Sequence, residues 1–234
     1  MGSDYLAAQK AFARQVGWGN AAVYWADRVF RRLGGWLHLD RCHYYVEPVP
    51  DKPKVPERLF RGLEVRTLAP DDLAGQVVPL TAETVARRLA AGNVGLGVYA
   101  KGDLIGYGWL NPGLHDDEMY RARFRPLPEG KVAWSYDFWV KPEVRGGLVF
   151  ACLNEAHYAH MRDHGLTHAV SYIQATNQAS LASHERMGAY RIGSSTFVVL
   201  FGAWLVLSTV PPRLSLSFRR QGRPTLALAV DARP

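Results

Sequence analysis

Apolar residues recur with helical spacing over residues 21–33, AAVYWADRVFRRL. One face of this helix carries five apolar residues: Ala22, Ala26, Val29, Phe30 and Leu33. The other face carries three arginines: Arg28, Arg31 and Arg32. Two glycines follow at positions 34 and 35, and glycine commonly ends helices. The pattern predicts a helix that either packs its apolar face on the core, with the arginines in water, or lies on an anionic membrane surface.

Residues 36–50, WLHLDRCHYYVEPVP, favour an extended conformation. The stretch that overlaps their end, residues 48–59 (PVPDKPKVPERL), is rich in proline and charge. Such a stretch breaks regular structure and is the best candidate for a domain boundary in the chain. We therefore predict an N-terminal helical extension and linker over residues 1–60, and a folded domain over residues 61–234.

Strand and helix patterns alternate after this linker. Strand patterns occur at residues 63–67, 94–100, 104–110, 132–140, 168–173, 190–192 and 197–207. Helix patterns occur at residues 81–91, 147–164 and 179–187, and a further helical region starts at residues 69–73. Residues 101–103 predict a tight hairpin, and the chain from Pro211 fits either a final strand or a tail. This order predicts a mixed α/β fold with an open, partly antiparallel sheet and helices on both faces.

The composition is that of a globular protein with surplus positive charge. Hydrophobic residues make up 48% of the 234 residues, enough for a real core, and the net charge is +7 with a pI near 9.5. This surplus favours acidic partners such as phosphates, nucleic acid or an anionic membrane, without choosing among them. Nucleic acid is the weakest of these, because the arginines are dispersed and no recognition motif is visible.

Three features bear on where the protein works. Cys42 and Cys152 show neither metal-ligand spacing nor a disulfide framework, which favours a reducing cytoplasm. The first residues lack a basic segment followed by an apolar core, so we expect no secretory signal. The longest apolar run, residues 197–210, has 14 residues, whereas about 20 are needed to span a bilayer. We expect a cytoplasmic protein, with membrane association through residues 21–33 as the alternative.

Residues 140–153, VKPEVRGGLVFACL, have the form of a loop that holds a phosphate. A strand pattern is followed by a proline, an acid, an arginine and two glycines, and then by a helix pattern. A helix N-terminus presents unpaired N–H groups and about half a positive charge to an anion. Arg145 and the bare backbone of Gly146 and Gly147 would bring further donors close to such an anion.

Two segments together resemble the signature segments of the GNAT acyltransferase superfamily: residues 136–147 (YDFWVKPEVRGG) and residues 177–193 (NQASLASHERMGAYRIG). The resemblance covers about residues 63–202. It implies a mixed, mostly antiparallel central sheet that splays open, with helices on both faces. It also implies an N-acyltransferase that moves an acyl group from a thioester to a primary amine of a small molecule. Acetyl-CoA or another acyl thioester would be the co-substrate.

The resemblance implies seven cofactor-binding residues: Trp139, Val140, Arg145, Gly146, Gly147, Asn177 and Ser180. The family usually has glycines three and five positions after the arginine, where this chain has Leu148 and Phe150. Three outcomes stay open because of this departure. The loop binds CoA in a shifted pose, or it accepts the phosphopantetheine arm of an acyl-carrier protein. The third outcome is a catalytically inactive module that binds a ligand or a partner.

N-acyl transfer needs a base for the amine proton and an acid for the leaving thiolate. Side chains on the strand at residues 132–140 should point to alternate faces of the sheet. Asp137 and Trp139 then share one face, and Tyr136, Phe138 and Val140 share the other. If the latter three lie under the helix, then Asp137 faces the cleft, where it acts as the base or holds a cationic substrate. Alternatively, the Asp137 carboxylate only orders the backbone or water molecules around it.

His184 occupies the position where the family often has a tyrosine that protonates the thiolate. Histidine can donate a proton near neutral pH. The alternative is an ordinary half-buried helix residue. The resemblance also leaves open a homodimer formed through the C-terminal strands.

Two further clusters attract notice. His157, His160 and His164 fall roughly on one helix face, a spacing that can hold a metal, but no acid or cysteine partner is evident and we predict no metal site. Residues 116–118, Asp-Asp-Glu, either line the acceptor site or form a solvated loop.

Overall fold

The structure is a computed structural model that describes residues 2–117, 119–218 and 222–230. The chain divides into two compact units, each built from separate segments. The first unit comprises Met1–Glu47, Leu114–Leu127 and Val170–Pro234. The second unit comprises Pro48–Gly113 and Pro128–Ala169.

The described residues form five α-helices and twelve strands. The helices are α1 (Gly2–Val16), α2 (Trp18–Arg32), α3 (Ala82–Ala90), α4 (Val149–Asp163) and α5 (Gln178–Arg186). The strands are β1 (Leu37–Pro48), β2 (Glu64–Thr67), β3 (Val94–Ala100), β4 (Asp103–Asn111), β5 (His115–Asp116), β6 (Arg123–Leu127), β7 (Val132–Val140), β8 (His168–Gln174), β9 (Tyr190–Leu200), β10 (Ala203–Ser208), β11 (Leu214–Ser217) and β12 (Thr225–Ala229).

The second unit contains the strands β7-β4-β3-β2, in that order, and all three pairings are antiparallel. Helix α3 covers one face, where Val85 packs with Tyr107 and Trp109. Helix α4 covers the other face, where Leu153 packs with Val98. The predicted fold class, a mixed α/β fold with mostly antiparallel strands and helices on both faces, is therefore confirmed.

Two elements of the second unit, the β3–β4 hairpin and helix α3, form where short sequence patterns predicted them. The hairpin between β3 and β4 turns at Lys101 and Gly102, both with positive φ (51° and 87°), as a two-residue hairpin turn requires. Helix α3 begins after Thr81, whose hydroxyl oxygen accepts a hydrogen bond from the Thr84 N–H (3.2 Å). Thr81 thereby caps the start of the helix predicted at residues 81–91.

Helix α4 carries His157 on its buried face. Only 3% of this residue is exposed, and its Nδ1 donates to the Leu153 carbonyl (2.8 Å). Burial lowers the pKa of His157 from its ordinary 6.5 to about 4. The folded protein therefore keeps this imidazole neutral at pH values where the unfolded chain binds a proton.

We expect the free energy of unfolding to decrease as the pH falls from 6.5 to about 4, because the unfolded state takes up the proton first. The contribution of His157 is fully present above pH 6.5 and amounts to about 3 kcal/mol. His43, whose pKa burial lowers to about 4, adds to the same slope. Urea unfolding as a function of pH measures the effect. His157→Leu should flatten the curve; equal slopes in the native protein and the variant would contradict the prediction.

The first unit contains two sets of strands, β11-β10-β9-β1-β8 and β12-β6-β5. The predicted extended segment after residue 36 is confirmed as β1, which pairs antiparallel with β9. The chain end contains the two short strands β11 and β12. The domain boundary near residue 60 stays a prediction.

The single strand expected at residues 197–207 is wrong. The chain turns at Phe201 and Gly202, so that β9 and β10 form an antiparallel hairpin. Both turn residues have positive φ, 47° and 82°. The turn was not predicted because it lies within a run of apolar residues. Phenylalanine is also an uncommon residue at a position with positive φ.

Helices α1 and α2 pack on each other through Ala13, Val16 and Ala21. The core-packed interpretation of residues 21–33 is wrong for the apolar face, since Ala22, Val29 and Leu33 are exposed. The inward side of α2 instead includes Ala21 and the buried Asp27, while Arg28, Arg31 and Arg32 are exposed.

Asp27 on that inward side accepts hydrogen bonds from the Leu39 N–H (2.9 Å), from Arg31 (2.7 Å) and from His38. Burial alone would raise the pKa of Asp27, but these three bonds outweigh it and lower the pKa. The carboxylate thus fixes α2 to the start of β1.

Candidate functional site

Strand β7 contains a β-bulge at Asp137. Tyr107 pairs with Trp139 and Trp109 pairs with Tyr136, so that Asp137 and Phe138 together face the single residue between them on β4. Asp137 has a φ of 52°. Two residues against one, with the first in the left-handed region, define a bulge that redirects side chains.

The bulge overturns the strict alternation expected along this strand. Tyr136 and Trp139 pack on the α3 side of β7, whereas Phe138 and Val140 pack on the α4 side. Tyr136 therefore does not share a face with Phe138, because the extra residue shifts the pattern by one. Trp139 stacks on the buried Tyr107 with ring centroids 5.5 Å apart.

The Asp137 carboxylate is half-exposed and is paired with Arg88, whose Nη1 lies 2.5 Å from Oδ2. The Arg88 guanidinium lies 5.1 Å from the ring centroids of both Trp109 and Tyr136. These rings hold the guanidinium in place, so the partner of Asp137 is a fixed cation. The sequence contained no signal for this pair, which joins a helix to a strand 49 residues away.

The loop after β7 is held by its own arginine. Arg145 Nε donates to the Val140 carbonyl (3.0 Å), and Gly146 adopts a φ of 79°. The Gly147 N–H reaches the Val144 carbonyl (3.4 Å). Since Arg145 is exposed and only its Nε is engaged there, its two terminal nitrogens remain donors for an anion.

The two departures from the family loop have different surroundings. Phe150 packs edge-on against Phe138 with ring centroids 5.9 Å apart, so it is part of the packing between α4 and the sheet. Leu148 occupies the N-cap position of α4 and is 42% exposed, without a side-chain cap. Leu148 is thus the departure that stands at the helix N-terminus.

The second signature segment lies in the first unit, at the start of α5. Asn177 Oδ1 accepts a hydrogen bond from the Ser180 N–H (3.2 Å) and caps the helix. The spacing of these two residues therefore has a structural reason, whatever ligand they contact.

His184 Nδ1 lies 2.9 Å from the Ser180 carbonyl, one turn earlier in α5. A carbonyl only accepts, so Nδ1 carries a proton in this arrangement. The neutral ring then has a lone pair on Nε2, and only the imidazolium form can donate from that atom. His184 is half-buried beside Leu181, which belongs to a small core with Tyr45 and Ile173.

Sequence reasoning missed a cavity of about 410 Å³ in the first unit. It is lined by α2, by β1, by the ends of β8 and β9, and by Trp204. Asp40 in this cavity accepts hydrogen bonds from Tyr120 Oη (2.8 Å), Gln174 Nε2 (3.0 Å) and the Arg41 N–H (2.8 Å). Its lining also includes Thr176, next to the Asn177 cap. The segments that line the cavity lie far apart in the chain, so no local sequence motif predicted it.

The two further clusters have the following surroundings. Residues 2–117, 119–218 and 222–230 contain no group of three metal-ligating side chains. Asp116 pairs with Arg123 and Arg223, and the buried Asp117 accepts from the Tyr120 N–H. Glu118 lies outside the described residues. Within the described chain, the helices are too short or too polar to cross a bilayer.

Several known proteins are similar to this chain over part of its length. A mycothiol acetyltransferase of Paenarthrobacter aurescens (strain TC1) is 28% identical over 96 residues, which are 41% of this chain and 27% of that protein. The chain thus spans about a quarter of this curated relative. Among solved structures, a tandem GNAT protein from the clavulanic acid biosynthesis pathway has a TM-score of 0.49 and 14% identity, over 71% of this chain and 56% of that one. A GNAT-family protein from Novosphingobium aromaticivorans, described as a putative acetyltransferase, has a TM-score of 0.46 and 19% identity, over 69% and 63% of the two chains.

The sequence profile of the Acetyltransferase (GNAT) family matches residues 67–189, more than half of the chain. The match includes the bulged strand β7, the Arg145 loop and the capped helix α5. The resemblance expected from residues 136–147 and 177–193 is therefore confirmed, and the chain belongs to the GNAT acetyltransferase family.

Proposed function

We propose that the protein is an N-acyltransferase that moves an acyl group from an acyl thioester of CoA to a primary amine of a small molecule. The observation that carries the proposal is the arrangement at the end of β7. A bulge presents Asp137, and directly after it Arg145, Gly146 and the N-terminus of α4 offer donors to an anion.

The donor loop suits a pyrophosphate. The first N–H groups of α4 lack partners within the helix, and the helix dipole favours an anion there. No acid occupies the first turn of α4 to compete for these donors. Leu148 stands beside them, and we expect it to weaken the grip on CoA rather than to abolish it, since a leucine side chain can rotate away.

The cavity in the first unit suits an amine acceptor. Asp40 uses three of the roughly four acceptor positions of a carboxylate, which leaves one for an ammonium group. Aromatic rings of Phe197 and Trp204 line the same cavity, and such rings attract cations. The partial similarity to a mycothiol acetyltransferase also favours a small-molecule acceptor.

The proposed reaction needs two proton transfers once the acceptor amine is neutral. The acceptor first loses a proton to water, because only the neutral amine has a lone pair that can attack the thioester carbon. The nitrogen then loses a second proton, which passes to Asp137 directly or through a water. The C–S bond then breaks, and the thiolate takes a proton from a general acid, the role that the family resemblance implies for His184. Arg88 orients the Asp137 carboxylate through their ion pair.

Binding of CoA measured by calorimetry tests the donor. We expect CoA to bind, and Arg145→Gln to weaken that binding about tenfold, the loss of one charge-assisted contact. Pantetheine, which has no phosphate, should bind equally to both proteins. Arg58→Gln, an exposed arginine elsewhere in the second unit, is the control. Leu148→Gly should tighten CoA binding if the leucine crowds the pyrophosphate.

The exposed Leu148 favours a second candidate, transfer from an acyl-carrier protein. In that case CoA would produce no heat of binding in calorimetry, while an acylated carrier protein would bind and donate its acyl group. If neither CoA nor the carrier protein binds, the protein would instead be a ligand- or partner-binding module without catalysis.

A further inference from the structure

Helix α2 has its apolar side turned to solvent. Trp18, Ala22, Val29 and Leu33 follow one another at helical spacing on this side, and Trp18, Val29 and Leu33 are each more than half exposed. The opposite side of α2, which includes Asp27, lines the cavity. A surface helix of a globular domain normally has the reverse orientation.

Three aromatic rings extend this exposed side. Trp36 stacks on Phe201 with ring centroids 5.3 Å apart and planes 13° apart, and Phe30 meets Trp36 edge-on at 5.3 Å. The Phe201 N–H donates to the Trp36 carbonyl (3.0 Å), which fixes the hairpin turn beside the strand start. Leu200 next to it is also exposed. We call the exposed residues Trp18, Val29, Leu33, Trp36, Leu200 and Phe201 the apolar surface.

Phenylalanine is an unusual residue for the turn position that Phe201 occupies. It adopts a left-handed backbone (φ 47°) in a two-residue hairpin turn, where asparagine or glycine is preferred, and it is 79% exposed. Its ring stacks on Trp36 but otherwise lies in water, so the fold gains little that would offset the backbone cost. This points to a role for the ring outside the folded chain.

The charges beside the apolar surface select its partner. Arg28 and Arg32 lie one turn apart on α2 and are exposed, and neither forms an ion pair with a carboxylate within the described ranges. Arg31, by contrast, is paired with Asp27. A second copy of the chain would bring the same two arginines against each other, which is unfavourable. An anionic surface complements them.

We propose that the apolar surface docks the protein on an anionic lipid bilayer. Trp36 and Phe201 insert at the level of the lipid headgroups, where aromatic rings are favoured, and Arg28 and Arg32 contact lipid phosphates. The bilayer removes the exposed apolar side chains from water. This inference is independent of the reaction that the protein catalyses.

Co-sedimentation with lipid vesicles tests the proposal. The full chain should bind vesicles of phosphatidylcholine mixed with phosphatidylglycerol, bind vesicles of phosphatidylcholine alone much less, and dissociate as salt is added. Phe201→Asn suits the turn backbone and should lower the partition coefficient about tenfold. Phe218→Asn, an equally exposed phenylalanine, should not change it. The double variant Arg28→Gln/Arg32→Gln should remove the preference for anionic vesicles, while Arg58→Gln/Arg61→Gln should keep it.

Three results would overturn the proposal. The first is failure of the native protein to sediment with anionic vesicles. The second is an equal loss for Phe201→Asn and Phe218→Asn. The third is a dimer in analytical ultracentrifugation that Phe201→Asn dissolves, since a second copy would then occupy the apolar surface.

Discussion

Asp137→Asn is expected to lower kcat for acyl transfer by about 100-fold or more, since a general base contributes about 10²- to 10⁴-fold. Asparagine has the same shape as aspartate and tolerates the left-handed backbone at this position. The bulge of β7 therefore survives the substitution, and only the capacity to accept a proton is lost. Steady-state kinetics with acetyl-CoA and an amine, together with thermal unfolding, provide the measurement.

Two controls separate the possible roles of Asp137. Asp103→Asn changes an exposed acid at the β3–β4 turn in the same unit and should leave kcat unaltered. If Asp137 only holds a cationic substrate, its replacement raises KM and leaves kcat nearly constant. Unchanged kcat and KM would show that this carboxylate merely anchors Arg88.

Trp109→Ala is expected to lower the free energy of unfolding by about 3–5 kcal/mol, the usual cost of truncating a buried aromatic side chain. Trp109 is fully buried and lies opposite Gly95 on β3. A Cβ at Gly95 would come within 2.8 Å of the Trp109 ring, so the indole occupies the space that this glycine leaves. The variant leaves a cavity between α3 and the sheet.

Urea unfolding followed by circular dichroism measures this loss without relying on tryptophan fluorescence. Trp109→Phe should cost less because it keeps most of the apolar contact. Trp36→Ala removes a tryptophan from the surface and should change stability far less. Similar losses for the buried and the surface tryptophan would refute the packing explanation. Because Arg88 lies over the Trp109 ring, kcat should also fall in Trp109→Ala if the orientation of Asp137 matters.

The sequence predicted elements whose causes are local. The predicted helix at residues 81–91 begins at the Thr81 cap, and the predicted hairpin turns at Lys101 and Gly102, so each depends on residues within three or four positions of one another. The loop at Arg145 was recognised for the same reason. Local chemistry of this kind is readable from one segment at a time.

Features that depend on distant partners were not predicted. The bulge at Asp137 carries no glycine to mark it, and the Arg88 pair joins two elements far apart in the chain. Helix α2 follows its hydrophobic pattern, but the pattern does not say which side meets the protein. The buried hydrogen bonds of Asp27 decided that orientation against the apolar stripe.

The position of β1 has a consequence for how the chain folds as it is made. This strand lies between β9 and β8, and its Tyr44 hydroxyl bonds to Ser195, 151 residues later in the chain (2.6 Å). Strand β1 leaves the ribosome long before β9 but must wait for it before this edge of its backbone is paired. Such long-range pairing is slow and exposes unpaired strand edges meanwhile. A shortened protein that starts after residue 60 would keep those edges open permanently, and aggregation would be its expected fate.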